Sequence, residues 1–240
     1  MEMHVSGFLV AKATKMQKKL FAKILNLRRK ILCHDIVSAC WEGMQRPVAT
    51  IFLVPAIIIA LLIGIVIWPR SPGLIIIRQK REGFGGNCFF MFKLRTMFID
   101  AEERIQRHFA EIPEAIVEWR DFGCLRNDPR IAGRVARFAR RYSIDELPQL
   151  INVVLGQMNI VGPRPLPLNI VTYMIPADRK IRQKVLPGIT GLWQVSGRSD
   201  LKIKEIGRLD RIYVMKSNLW LDLSILAKTA GTVIRGRGAY

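Results

Sequence analysis

Hydrophobic and polar positions divide this chain into three stretches. Residues 48–68, VATIFLVPAIIIALLIGIVIW, carry a single clearly polar side chain, Thr50. At 1.5 Å per residue a straight helix of that length covers about 30 Å, the thickness of a bilayer's hydrocarbon core. Pro55 lies inside it, and a proline removes one backbone hydrogen bond and kinks the rod. Lysines and arginines crowd both flanks, from Lys12 to Arg46 before it and from Arg70 to Arg95 after it. The positive-inside tendency asks both ends to stay cytoplasmic, which a helix broken at Pro55 that dips in and returns satisfies. A kinked single span is the alternative. The stretch starts too late and runs too long for a cleaved signal peptide.

Amphipathic patterns lie on either side. Leu20, Ile24, Leu27 and Ile31 recur at spacings of four, three and four among basic residues, predicting a basic helix suited to an anionic leaflet or to a protein partner. Near the end of the chain Trp220, Leu223, Leu226, Ala230 and Ile234 share one helical side, read either as core or as an interfacial face anchored by Trp220. Between them LIIIRQKREGFGGNCFFMFKLRTM reads as two strands joined by a glycine turn, a β-hairpin. Alternation along its second strand puts Lys93 and Arg95 on one face, a candidate phosphate clamp. A polar helix over residues 98–109 and a connector holding Pro113, Asn127, Asp128 and Pro129 follow.

Charge narrows the choice of partners. With 38 Lys and Arg against 19 Asp and Glu, the chain seeks anions: nucleic acid, acidic lipid or phosphorylated small molecules. Half of its residues are hydrophobic, which excludes a disordered basic tail. Cys33, Cys40, Cys88 and Cys124 show no C-x-x-C pairing, and His4, His34 and His108 are scattered, so reduced thiols are expected rather than disulfides or a zinc site.

The local chemistry concentrates in RRYSIDELPQL, residues 140–150. Pro148 fits the first turn of a helix beginning near Ile144 or Asp145. Two readings of its acidic pair stand side by side. Ser143 and Glu146 match an S-x-x-E capping box, with Asp145 a helix cap. Alternatively Asp145 is a nucleophile, Glu146 a second acid that holds a cation or manages a proton, and nearby cations bind a transferring phosphate. Arg164, set between two prolines in VGPRP, is pre-stiffened to grip phosphate oxygens in a bidentate fork.

KLRTM, SIDELPQLINVVLGQMNIVGPRP, PGITGLWQVSGRSDL and LDRIYV followed by LWLDLSILAKT resemble the bacterial sugar transferase family, the monotopic phosphoglycosyl transferases, over residues 46–240. That resemblance implies a re-entrant membrane helix broken at proline and a helix-rich cytosolic catalytic domain. It implies transfer of a sugar 1-phosphate from a UDP-sugar to undecaprenyl phosphate, releasing UMP through a phosphosugar-aspartyl intermediate. It makes Asp145 the nucleophile and Glu146 its dyad partner, associated with Mg²⁺, with Lys93, Arg95 and Arg164 on phosphate and Gln194, Arg198 and Asp210 as weaker nucleotide or metal supports. No bundle of several membrane helices precedes these motifs, so the chain resembles the family's short form, similar to exopolysaccharide enzymes that load galactose or glucose phosphate. It departs from the family at Gln45 and Ala49 in the usual K-R-x-x-D, at Val54 before Pro55, and at Asn159, where serine is common.

The expected architecture is therefore α+β, mostly α with a small β-hairpin: a basic region (1–46), a re-entrant membrane helix (47–69) and a cytosolic or interfacial catalytic domain (70–240). The expected location is the bacterial inner membrane, catalytic domain on the cytoplasmic face, with inner-membrane lipid as a partner, no nucleic acid, and self-association left open. Two rivals remain: a membrane-tethered nucleic-acid binder, and a non-catalytic scaffold.

Overall fold

A computed structural model describes residues 40–236. The basic amphipathic helix expected around Leu20 to Ile31 lies outside the described residues. Helix α1 runs Cys40–Arg70, and among the described residues it alone is long and apolar enough to cross a membrane. One narrow face is buried, carrying Gln45, Ala49, Ala56, Ala60 and Ile67 at helical spacings. The opposite face holds Ile51, Phe52, Val54, Ile58, Leu62, Ile65 and Val66, each more than half exposed. So continuous an apolar surface requires a lipid or protein cover.

The expected break at Pro55 is not seen: residues 40–67 are α-helical throughout. Proline forfeits only the bond its own N–H would give the carbonyl four residues back, here Ile51, and the bonds before and after carry the helix on. Pro55 is exposed, which leaves its ring room.

Both halves of α1 dock on the remainder of the chain. Ala49 packs with Met91, Val153 and Met158. Ile67 packs with Leu94, Ile131 and Ala136. Gln45 is 1 % exposed, and its Oε1 accepts from the backbone N–H of Ile160 at 2.7 Å and of Val161 at 3.4 Å. Gly156, at φ +71°, lies under the Arg46 guanidinium, which a Cβ there would strike.

The hairpin forms as its pattern predicts. Strands β1 (Ile76–Glu82) and β2 (Cys88–Leu94) pair antiparallel from Ile76↔Leu94 to Glu82↔Cys88. Gly85 and Gly86 take positive φ in the turn, a conformation open to glycine at no steric cost. Helix α2 (Ala101–Glu111) follows. The segment expected as a connector instead holds a helix, α3 (Glu114–Phe122), started at Pro113 and closed by Gly123 in the left-handed conformation.

Helix α4 (Arg134–Arg141) leads to a 3-10 stretch, Ile144–Gln149, that passes directly into α5 (Leu150–Val154). A second small sheet pairs β3 (Asn159–Val161) in parallel with β4 (Gly188–Thr190), across helices α6 (Leu168–Val171) and α7 (Pro176–Arg182). Helices α8 (Leu192–Ser196), α9 (Ile203–Lys216) and α10 (Leu219–Arg235) complete the chain. In α10 the Asn218 side chain caps Leu221 N–H at 2.9 Å. The helix buries Asp222 and Ile225, whereas Trp220 and Ile234, on the predicted stripe, are each 76 % exposed. Asp222 is drawn inward because it accepts the Tyr213 hydroxyl at 2.9 Å. The helices with their small sheets match the α+β expectation.

Candidate active site

Three non-local pairings assemble one cavity. The first joins β2 to the acidic 3-10 stretch through Asn152 on α5, a fully buried side chain. Its Oδ1 accepts Phe92 N–H at 2.9 Å, and its amide donates to the Phe90 carbonyl and to Gln157 Oε1, each at 2.8 Å. Those bonds hold the strand just before Lys93, whose ammonium faces Asp145. The second pairing, β3 with β4, sets the VGPRP loop beside the start of α8, where Arg164 Nη1 donates to the Ile189 carbonyl at 3.2 Å. In the third, Arg198 Nη2 donates to Ser143 Oγ at 2.7 Å.

The acidic pair splits between two cations. Lys93 Nζ lies 2.9 Å from Asp145 Oδ2, and Asp145 is 2 % exposed. Asp145 Oδ1 is buried with no hydrogen-bond partner among the described residues. Glu146 receives a bidentate fork from Arg164, at 2.6 and 2.8 Å. The S-x-x-E capping box is therefore not formed. Ser143 is left-handed, caps nothing with its side chain, and serves Arg198 instead, while the Glu146 carboxylate turns to Arg164.

These groups line a cavity of about 140 Å³. Four cations, Lys93, Arg140, Arg164 and Arg198, face it against two anions, Asp145 and Glu146. Burial pushes the Lys93 ammonium below the ordinary lysine range while Asp145 pulls the other way. Burial, with a smaller push from the neighbouring Arg164, lowers Arg81 to about 9. Through Lys93, Cys124 and Arg140 the cavity adjoins a larger one of about 700 Å³, whose walls include Arg81, Arg130, Phe109 and Trp119.

Other expected residues fall at different distances from this centre. Arg95 is not among the lining residues; β2 ends at Leu94, so alternation no longer holds, and the Arg95 guanidinium lies over Gly73. Gln194 lines the cavity, donates to the Ile189 carbonyl at 2.7 Å, and leaves its Oε1 buried without a partner among the described residues. Asp210 is fully buried on α9, outside the lining. It faces Arg182 at 3.4 Å, and Arg182 in turn donates to the Arg164 carbonyl. Burial raises Asp210 to about 7, with Arg182 lowering it and Asp178 raising it further. Pro55 belongs to α1 and lines none of this cavity. Asn152, Trp193 and Arg182 escape sequence reasoning, because a buried Asn or Trp in an apolar run looks like core. Trp193 is 8 % exposed, lines the cavity and has an indole N–H with no partner among the described residues.

A magnesium ion has a narrow place here. Among the described residues no group of three or more His, Cys, Asp or Glu converges as a metal cage. Mg²⁺ is commonly held by one or two carboxylates together with substrate phosphates, and the unpartnered Oδ1 of Asp145 fits that mode. Both oxygens of Glu146, the expected metal ligand, are already engaged by Arg164.

The model of the family described as "Bacterial sugar transferase" matches residues 39–236. The chain is similar to the "UDP-galactose-lipid carrier transferase" of Erwinia amylovora, 39 % identical over 80 % of this chain and 40 % of that protein. It is also similar to the "Undecaprenyl-phosphate galactose phosphotransferase" of Salmonella typhimurium (strain LT2), 39 % identical over 86 % of this chain and 44 % of that protein. It thus spans less than half the length of these two relatives. The "Exopolysaccharide production protein ExoY" of Rhizobium meliloti (strain 1021) is 38 % identical, with 70 % of this chain and 74 % of that protein covered. On this match and these motifs, the chain belongs to the bacterial sugar transferase family.

Proposed function

We propose that this protein transfers a sugar 1-phosphate from a UDP-sugar to undecaprenyl phosphate, releasing UMP and beginning assembly of an exopolysaccharide or related glycan. One observation carries the reading: a buried aspartate has one oxygen anchored by Lys93 and the other unengaged, in a cavity with two more cations than anions. That excess matches a diphosphate.

In the first displacement Asp145 Oδ1 attacks the sugar-bearing phosphorus. The P–O bond to UMP breaks, and UMP leaves with the electron pair. Esterification removes the aspartate's charge, which frees Lys93 for the phosphoryl oxygens. A phosphate oxygen of the polyprenyl phosphate then attacks the same phosphorus and returns Asp145 as a carboxylate. Arg164 spends three of its five N–H donors on Glu146 and Ile189, so its guanidinium plane is preset with two left to meet phosphate. Mg²⁺ would supply charge neutralisation at the diphosphate; with Asp145 Oδ1 attacking and Glu146 engaged by Arg164, the substrate's own phosphate oxygens would hold it during that step. The nearly complete burial of Asp145 keeps water from the intermediate. The larger cavity, with Trp119 and Phe109 among its arginines, suits the nucleotide.

Placement at the inner membrane with the domain on the cytoplasmic face belongs to the same reading. Ala49 and Ile67 lie about 27 Å apart along α1, yet both pack on the same domain. A straight crossing of a roughly 30 Å core would carry one of them away from it, which favours a helix that stays along the membrane face bearing the domain.

The test is UMP release with undecaprenyl phosphate and a panel of UDP-sugars, wild type against Asp145→Asn. Mg²⁺-dependent release should drop by at least about 10³-fold in the variant. Omitting the lipid should leave a sugar-phosphate mass on the peptide containing Asp145. Full turnover in the variant would overturn the mechanism. Absence of release with salt-sensitive RNA or DNA binding would favour the nucleic-acid reading, and absence of both a scaffold.

A further inference from the structure

On the side of the reaction cavity away from the 700 Å³ space lies a third cavity, of about 280 Å³. It shares Glu146, Gln194 and Arg198 with the reaction cavity, so the two adjoin where the charges end. Its walls are Leu147 and Leu150 from the acidic stretch and α5, Ile160 from β3, Val195 from α8, and Leu226 and Val233 from α10. On α10 the lining positions 226, 229 and 233 fall at helical spacing, making a stripe distinct from the exposed Trp220 and Ile234.

Threonines in the wall do not make it polar. Thr229 Oγ1 donates to its own helix at Ile225, 2.7 Å away, and Thr232 Oγ1 to Lys228 at 2.8 Å. Thr190 Oγ1 is paired with Thr229 Oγ1 at 2.7 Å. With those hydroxyls satisfied internally, the side chains offer methyl groups. Beyond the polar edge of Tyr142, Ser143, Glu146, Gln194 and Arg198, a uracil or sugar would leave its donors and acceptors unpaired, at a cost that an apolar chain does not incur. The occupant that fits is a molecule with an anionic head at Arg198 and Arg164 and a hydrocarbon chain leading away.

We propose that this cavity holds the first isoprene units of the polyprenyl phosphate acceptor, with its phosphate at the Glu146–Arg198 junction. The inference rests on the reaction proposed above. It puts the acceptor's hydrocarbon and the nucleotide in separate cavities that both adjoin the Asp145 cavity, so the acceptor phosphate can enter the position UMP vacates while its chain stays clear of the nucleotide's space.

The test substitutes Leu226→Trp and, separately, Val233→Trp, each filling the cavity. The KM for polyprenyl phosphate should rise about tenfold or more, the loss expected when a few buried methylenes are denied contact, while the KM for UDP-sugar moves less than about twofold. Equal changes in both, or none, would overturn the assignment. The wild-type chain gives an independent readout that needs no variant: a polyprenyl phosphate carrying a diazirine on its first isoprene unit should label the peptide spanning 219–235, and unlabelled polyprenyl phosphate should compete. Labelling confined to α1, or equal competition by phosphate-free polyprenol or ordinary phospholipid, would overturn it. Labelling of α10 in a chain that releases no UMP supports the subsite and removes only the reaction.

Discussion

Ser143 and Arg198 are the two non-glycine residues with positive φ among the described residues, and they are bonded to each other, Arg198 Nη2 to Ser143 Oγ at 2.7 Å. Each sits within reach of the acidic pair, one just before Asp145 and the other lining the same cavity. Left-handed backbone at a residue with a side chain costs of order 1 kcal/mol and survives where neighbouring structure holds it. Ser143→Gly should therefore be more stable than Ser143→Ala by about 1 kcal/mol, since only the first relieves the backbone. Both should lose turnover, because Arg198 loses its anchor. Thermal unfolding in detergent with steady-state rates checks this; equal stability of the two variants would place no strain at Ser143.

Arg164→Lys should lower kcat/KM by about 10²-fold, because an ammonium cannot reproduce the two parallel bonds to Glu146. Glu146→Gln should act through the same pair. The double variant should then be far less impaired than the product of the single effects. Strict multiplication would mean the two side chains work independently.

Asn152→Ala should cost about 1–3 kcal/mol by stranding the backbone groups of Phe90 and Phe92. Its effect on kcat should exceed its effect on KM, since Lys93 directly follows Phe92 on the strand those bonds hold. An unchanged unfolding temperature would show that the hairpin is held elsewhere.

Gln45→Leu should destabilise the chain by about 1–3 kcal/mol, leaving Ile160 N–H without its acceptor. Gln45→Lys should be no better, as an ammonium has no acceptor to offer. This measurement tests whether a residue that departs from the family pattern has become the latch of α1.

Asp210 predicts a pH trend. Unfolded, an aspartate titrates at about 3.9; here burial lifts it to about 7 against the pull of Arg182. Between those values the folded chain holds the extra proton, so this group's contribution strengthens as pH falls from 7 toward 4 and weakens as pH rises. Asp210→Asn should flatten that part of the stability curve. Parallel curves for wild type and variant would exclude Asp210 as its source.

What was legible in the chain was local. Hydrophobic length identified α1, alternation and glycines identified the hairpin, and the DELPQ and GPRP motifs marked Asp145, Glu146 and Arg164. The course of α1 through Pro55 was not legible, since a lost hydrogen bond looks the same whether a helix breaks or continues. Arg95 misled because alternation says nothing about where a strand stops. Ser143 fitted a capping box by spacing, but spacing cannot show that Arg198, 55 residues on, takes its hydroxyl. The β3–β4 pair joins three-residue strands across two helices, too short and too distant for any periodicity to announce. Helix α3 did carry its signals, Pro113 before and Gly123 after, masked by the polar turn residues that follow.

Because α1 covers Met91, Val153 and Met158 at one end and Leu94 and Ile131 at the other, it is a wall of the folded domain as well as the bearer of its outward apolar face. A fragment trimmed to begin after Arg70 would expose both clusters and lose Gln45 from β3. Efforts to make a more soluble version by deleting α1 should yield aggregates, whereas replacing only its outward residues with polar side chains should preserve the packing underneath.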